Sequence, residues 1–148
     1  MKTVWNVPGV IVMLVVVAIA GGFGKLIGRE AANAAMGPDL DAVLAETANT
    51  VNAKLPMMVD KDTRLDSTIP GPDKKLTYYY TLPAYSSVEL EPTSTMAVLT
   101  PHVKKNVCGI TDMKGLFNNG VSVVYVYRGN DAREIGRVTV TPAECGYR

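Results

Sequence analysis

The amino-acid sequence predicts an α+β protein. It has an N-terminal transmembrane helix, then a small domain with a four-stranded antiparallel sheet of two hairpins and helices packed on one face. Three observations carry that prediction. From Thr3 to Gly24 there is no charged residue, and about 20 apolar residues suffice to cross a bilayer as a helix. Beyond residue 37, blocks of helical spacing and blocks of strict alternation follow one another as α-β-β-α-β-β. Two cysteines, Cys108 and Cys145, lie at the ends of two of those blocks.

The N-terminal segment, residues 1–24, reads as a membrane anchor or a signal segment. Its strictly apolar run, 10–20, has the length of a secretory core, and Ala18-Ile19-Ala20 supplies a cleavage site near Ala20. Trp5 at its head suits an interfacial anchor, and the uncharged residues continue past Ala20. These features favour a retained helix over residues 4–24. Residues 25–37 are an Ala/Gly-rich connector, and 38–148 form the folded domain. Lys2 with the free amine nearly balances Lys25 and Arg29, so flanking charge barely chooses an orientation. The cysteines choose it. Two cysteines behind an export segment read as one disulfide, Cys108 to Cys145, which requires an oxidising compartment. The expected location is therefore the inner membrane, single-pass, with the C-terminal domain in the periplasm. Cleavage near Ala20 would instead release it to the periplasm or medium.

Gly37 and Pro38 open the first helix, and Leu40, Val43, Leu44, Thr47, Val51 and Leu55 form one stripe, predicting a helix over 39–54. Pro56 ends it. The stretch MMVDKDTRLDSTI alternates. Val59, Thr63, Leu65 and Ile69 share one face, and Asp60, Asp62, Arg64 and Asp66 the other. PGPDKK is a turn. LTYYYTL is a second strand, with Leu76, Tyr78, Tyr80 and Leu82 on one face and Thr77, Tyr79 and Thr81 on the other. Met96, Leu99, Val103 and Val107 mark a second helix that Pro101 should kink or restart at Thr100. TDMKGLFNNG reads as a short helix capped by Thr111. VSVVYVYR, GNDA and REIGRVTVT form the clearest hairpin, and Cys145 follows to pin the last strand to the end of the second helix.

Composition excludes several functions. Residues 38–148 carry 12 basic and 13 acidic side chains and no basic run, so a nucleic-acid partner lacks its electrostatic footprint. The cysteines form no C-x-x-C pair, and His102 is the only histidine, so neither a zinc site nor a cofactor motif is present. Asp60, Asp62 and Asp66 could gather a cation, but alternation spreads them about 6.6 Å per step along a strand. His102 beside Lys104 and Lys105 reads as a solvated helix face, with no nucleophile or orienting acid at a recognisable spacing.

These readings predict a non-enzymatic envelope protein whose periplasmic domain binds another envelope protein as an accessory subunit. No catalytic residue, cofactor or metal ligand is assigned. The expected partner surface is Asp60, Asp62, Arg64, Asp66 and Tyr79, on the sheet face away from the helices. The alternative is a free small-ligand binder with a pocket lined by Tyr78, Tyr80 or Tyr125.

Overall fold

The structure is a computed structural model that describes residues 39–148. The anchor or signal segment 1–24, the connector 25–37 and the expected membrane contact over 4–24 lie outside the described residues. Among the described residues no helix is long and apolar enough to cross a membrane.

Helix α1 (Asp39–Asn52) leads into β1 (Met57–Met58), β2 (Arg64–Gly71) and β3 (Lys75–Leu82). Helix α2 (Pro92–Gly109), a 3₁₀ turn (Thr111–Met113) and helix α3 (Lys114–Asn118) follow. Strands β4 (Ser122–Gly129) and β5 (Glu134–Val140) and a 3₁₀ turn (Ala143–Cys145) complete the chain. The strands form one sheet in the order β1-β2-β3-β4-β5.

Two expectations are corrected here. The sheet has five strands rather than four, and it is mixed: β3 and β4 pair in parallel, Lys75 with Ser122 through Leu82 with Gly129. The cause is the length of the crossover. The 18 residues of α2 span about 27 Å as a helix, close to the roughly 26 Å of an eight-residue strand. The chain thus returns to the end where β3 began, and the Ser122 amide donates to the Lys74 carbonyl at 2.9 Å. From there β4 can only run alongside β3 in the same direction. The extra strand arises because MMVDKDTRLDSTI is not one strand. Residues 59–63 turn back on themselves, the Val59 amide donating to the Thr63 carbonyl at 2.9 Å, so Met57–Met58 pair with Arg64 and Leu65.

Helix α2 begins at Glu91, whose carboxylate accepts from the Thr93 and Ser94 amides (3.1 and 2.7 Å), with Pro92 in the first turn. It runs unbroken through Pro101, so the expected restart at Thr100 does not occur. Pro101 and Ala97, whose carbonyl loses its partner, are both exposed, so water can take the lost bond. No side-chain cap forms at Thr111; the 3₁₀ turn runs directly into α3.

The core lies between the helices and one sheet face. Leu40, Leu44, Ala48 and Val51 of α1 join Thr95, Leu99, Val103 and Val107 of α2 and Leu116 and Phe117 of α3 in facing it. Leu76, Tyr78, Tyr80, Val123, Tyr125, Tyr127, Val138 and Val140 are their sheet partners. Val124 and Val126 stand outside this cluster on the opposite face, so the helices cover one face, as predicted. Gly136 of β5 lies close against α2. A β-carbon there would enter the van der Waals shell of Met96 on α2.

Two devices finish the domain. The Asn52 carboxamide stands in for a strand. Its Nδ2 donates to the Thr68 carbonyl (2.7 Å) and its Oδ1 accepts from the Thr68 amide (2.8 Å), beyond where two-residue β1 ends. Edge groups left open in this way invite pairing with other chains. At the other end, the disulfide Cys108–Cys145 holds the chain terminus to the last turn of α2, with Cα atoms 5.0 Å apart. The Lys104–Glu144 ion pair and the Phe117–Tyr147 ring contact at 5.5 Å reinforce it.

Candidate functional site

The outer sheet face, which no helix among the described residues covers, is built by the alternation of four strands. Pairing registers set its residues in rows across the strands. The first row is Arg64, Thr81, Arg128 and Glu134, and the second is Ser67, Tyr79, Val126 and Arg137. The third is Ile69, Thr77, Val124 and Thr139.

β-bulges adjust both flanks. Leu65 pairs with Tyr80 and Ser67 with Tyr79, so Asp66 is the extra residue. Beyond it the parity of β2 reverses. Ile69, expected on the core side, is 49% exposed, while Thr68 is fully buried. Asp66 still projects among the outer-face groups, where it accepts from Arg64 Nε at 2.5 Å and from the Thr81 hydroxyl. In β5, Ile135 is the extra residue between Glu134 and Gly136. Glu134 and Arg137 consequently share the outer face and meet through two hydrogen bonds of 2.8 and 2.7 Å.

Electrostatically the face is paired at its flanks and open at its centre. The Arg137 guanidinium, through its hydrogen bonds, holds the Glu134 carboxyl below the usual carboxylate range, with the charges of Arg137 and Arg128 adding to the effect. Glu134 in turn raises the pKa of Arg137. Arg64 is matched by Asp66. Arg128 makes no ion pair among the described residues; its guanidinium lies over the Tyr79 ring, 4.6 Å from the centroid. Such a contact at an exposed site is worth about 0.5–1 kcal/mol.

Of the five residues expected at a partner surface, Arg64, Asp66 and Tyr79 come together here. Asp60 and Asp62 do not, because they belong to the turn before β2. The Asp62 amide donates to Asp60 Oδ1 at 2.6 Å, and Lys61 lies 3.7 Å from Asp62. From the sequence, Arg128 and Arg137 could meet acidic partners or lipid headgroups but read by default as ordinary surface charge, and Glu134 carries no assignment. A signal existed. Parity in VSVVYVYR sets Arg128 on the same face as Val124 and Val126, although not which strand lies beside it.

Other candidate chemistry is dispersed. Among the described residues no group of three or more His, Cys, Asp or Glu side chains converges on a metal position. His102 is exposed on α2, and neighbouring Lys104 is paired with Glu144. The Ser87 hydroxyl donates to Asp131, but the same carboxylate receives the Ser87 and Arg133 amides (each 3.3 Å) and lies close to Gly129, so the pair is a clamp between two loops. The tyrosines expected to line a ligand pocket instead stack on one another. Centroids are 5.5 Å apart for Tyr78–Tyr125, 6.2 Å for Tyr80–Tyr125 and 5.4 Å for Tyr80–Tyr127, with interplanar angles of 14–19°. Burial pushes all four phenols well above their ordinary pKa.

No protein-family model matches the sequence, and no curated protein sequence does. Solved structures do resemble it. A Pseudomonas aeruginosa protein named as a candidate secreted protein superposes with a TM-score of 0.61 at 14% identity, over 72% of this chain and 93% of that one. The pilotin of the Vibrio vulnificus type 2 secretion system gives 0.56 at 13% identity, over 72% and 92%. The type II secretion pilotin of Vibrio cholerae gives 0.54 at 15% identity, over 72% and 93%. At these identities the likeness is one of fold.

Proposed function

We propose that this protein is a non-enzymatic accessory subunit of a bacterial-type envelope, and that its domain binds another envelope protein through the outer sheet face. The observation that carries the reading is the one-sided architecture. The helices of the described residues cover one face, and the other displays Arg64, Asp66, Tyr79, Arg128, Glu134 and Arg137 in adjoining rows. A sheet face with polar and charged groups serves equally as solvent boundary or partner surface. The fold likeness to two type II secretion pilotins and a candidate secreted protein favours the second. The disulfide and the apolar segment 4–24 support placing the domain outside the cytoplasm, held at the inner membrane or released after cleavage near Ala20. The small-ligand alternative has lost the pocket it required, because Tyr78, Tyr80 and Tyr125 are packed ring against ring.

The test is photo-cross-linking of the full chain in its native envelope, from a photoreactive residue at position 79 and, separately, at position 102 on exposed α2. A discrete protein adduct from position 79, weak or absent from 102, is the expected result. Reproducible absence of any protein adduct, or adducts only from 102, would contradict the reading.

A further inference from the structure

We propose that the outer sheet face receives an acidic amphipathic segment of its protein partner, lying across the strands with one of its carboxylates on Arg128. This rests on the reading that the face binds a protein, and it specifies the chemistry of that protein.

The charge on the face is lopsided. Arg64, Arg128 and Arg137 stand in its first two rows against Asp66 and Glu134, a surplus of one positive charge, and Lys75, paired with Gly71 and Ser122, adds another beyond the third row. Residues 38–148 as a whole carry 12 basic and 13 acidic side chains, so this surplus is local. It is also specific in position. Arg64 and Arg137 are each hydrogen-bonded to a carboxylate, whereas Arg128 makes no ion pair among the described residues: it lies over the Tyr79 ring and meets Glu134, opposite it on β5, through charge alone. A guanidinium held over a ring face keeps N–H groups that can donate to a carboxylate through two parallel hydrogen bonds.

Beside the cationic rows runs an uncharged one, Ile69, Thr77, Val124 and Thr139, in which Ile69 is half exposed. Alternate residues on a strand are about 6.6 Å apart, and four strands span about 14 Å. A segment crossing them meets methyl groups along one edge and guanidinium groups along the other. Its complement is a segment apolar on one side and acidic on the adjoining side. A basic or uniformly apolar segment would leave Arg128 facing like charge or desolvated without a partner.

The experiment uses the isotope-labelled full chain in zwitterionic detergent. It is titrated with a blocked 14-residue peptide of Leu and Glu at helical spacing, and with its twin in which Gln replaces Glu. Saturable amide shifts at Tyr79, Val126, Arg128 and Arg137 are expected with the acidic peptide. Affinity should fall at least tenfold for the twin and for Arg128→Gln, weaken with added salt, and be unchanged in Lys105→Gln. Arg128→Lys, which keeps the charge and loses the planar fork, should fall between. An unaltered near-ultraviolet dichroism of the tyrosine stack shows that each variant is folded.

Equal binding of the two peptides, shifts confined to the exposed side of α2, or full affinity in Arg128→Gln overturns the proposal. So do Arg128-dependent shifts with inorganic phosphate or phosphatidylglycerol vesicles but not with the peptide, which would make the face an anion or lipid site. If the peptide fails while position 79 cross-links to a protein in the native envelope, the acidic-segment inference falls and the partner-binding reading stands.

Discussion

Tyr78, Tyr79 and Tyr80 are consecutive residues of one strand, yet they belong to two different molecules in a functional sense. Tyr78 and Tyr80 point inward and are fully buried, stacked with Tyr125 and Tyr127 of the parallel neighbour strand. Tyr79 points outward, half exposed beneath Arg128. Residue type is the same and only parity differs. One face of the sheet spends its aromatic area on the core, where each large ring removes 150–250 Å² from water. The other leaves its ring and its charges accessible. The core and the proposed partner surface are separated by the thickness of one strand, so substitutions on the two faces should have separable effects.

The largest effect is expected on the inner face. Tyr80→Ala removes a fully buried ring touching two others and should cost about 3–5 kcal/mol, measurable by urea unfolding. Tyr79→Ala loses the contact with Arg128 and should cost only about 0.5–1 kcal/mol. Similar losses on both faces would break the comparison. Tyr80→Phe sharpens it. The Tyr80 hydroxyl is buried and has no hydrogen-bond partner among the described residues, so deleting it should be neutral or slightly stabilising.

Next is the disulfide, which fastens the terminus over the helix side of the domain. Cys108→Ser with Cys145→Ser should cost about 3–4 kcal/mol for a 37-residue separation. The outer-face cross-link should survive wherever the variant remains folded. Smaller again is Asn52→Ala. It removes both hydrogen bonds to the Thr68 backbone and should cost about 1–2 kcal/mol. Exposing that sheet edge should also raise the tendency to aggregate, visible by light scattering.

The smallest effect is a pH dependence at the start of α2. The Ser94 side chain and the Ser94 and Thr93 amides hold the Glu91 carboxyl at about 2, against an ordinary 4.5. A depressed acid contributes stability that is complete above its unfolded value and lost as pH falls through its folded value. The contribution should therefore be full above about pH 4.5 and vanish towards pH 2. Glu91→Gln should flatten that part of the acid-stability profile, and an ordinary Glu91 titration by carboxyl NMR would contradict it.

Much of this was legible in the sequence. The α1 stripe, the face assignment in LTYYYTL, the last hairpin and the cysteine pairing all follow from spacing and compartment. The parallel pairing joins the two hairpins across α2, and alternation within a strand carries no signal of it, although the length of PTSTMAVLTPHVKKNVCG already returns the chain to the start of β3. The parity reversal in β2 was not legible. Thr68 is no more apolar than Ser67, so the bulge at Asp66 leaves no three-residue apolar spacing to betray it. In β5 the corresponding signal was present, because Ile135 and Val138 are three apart. Of the outer face, Arg64, Asp66 and Tyr79 could be placed from alternation. Arg128 and Arg137 needed the strand order, because they reach Tyr79 only across the parallel pair.

The account stands most directly on one measurement. The full chain carrying Tyr79→Ala and Arg128→Gln, with a photoreactive residue at position 139, is cross-linked in the native envelope alongside the parent chain. The account predicts loss of the protein adduct in a chain whose thermal midpoint is shifted by no more than about 4 °C. An adduct formed at full yield, or one lost only because the chain has unfolded, would contradict it.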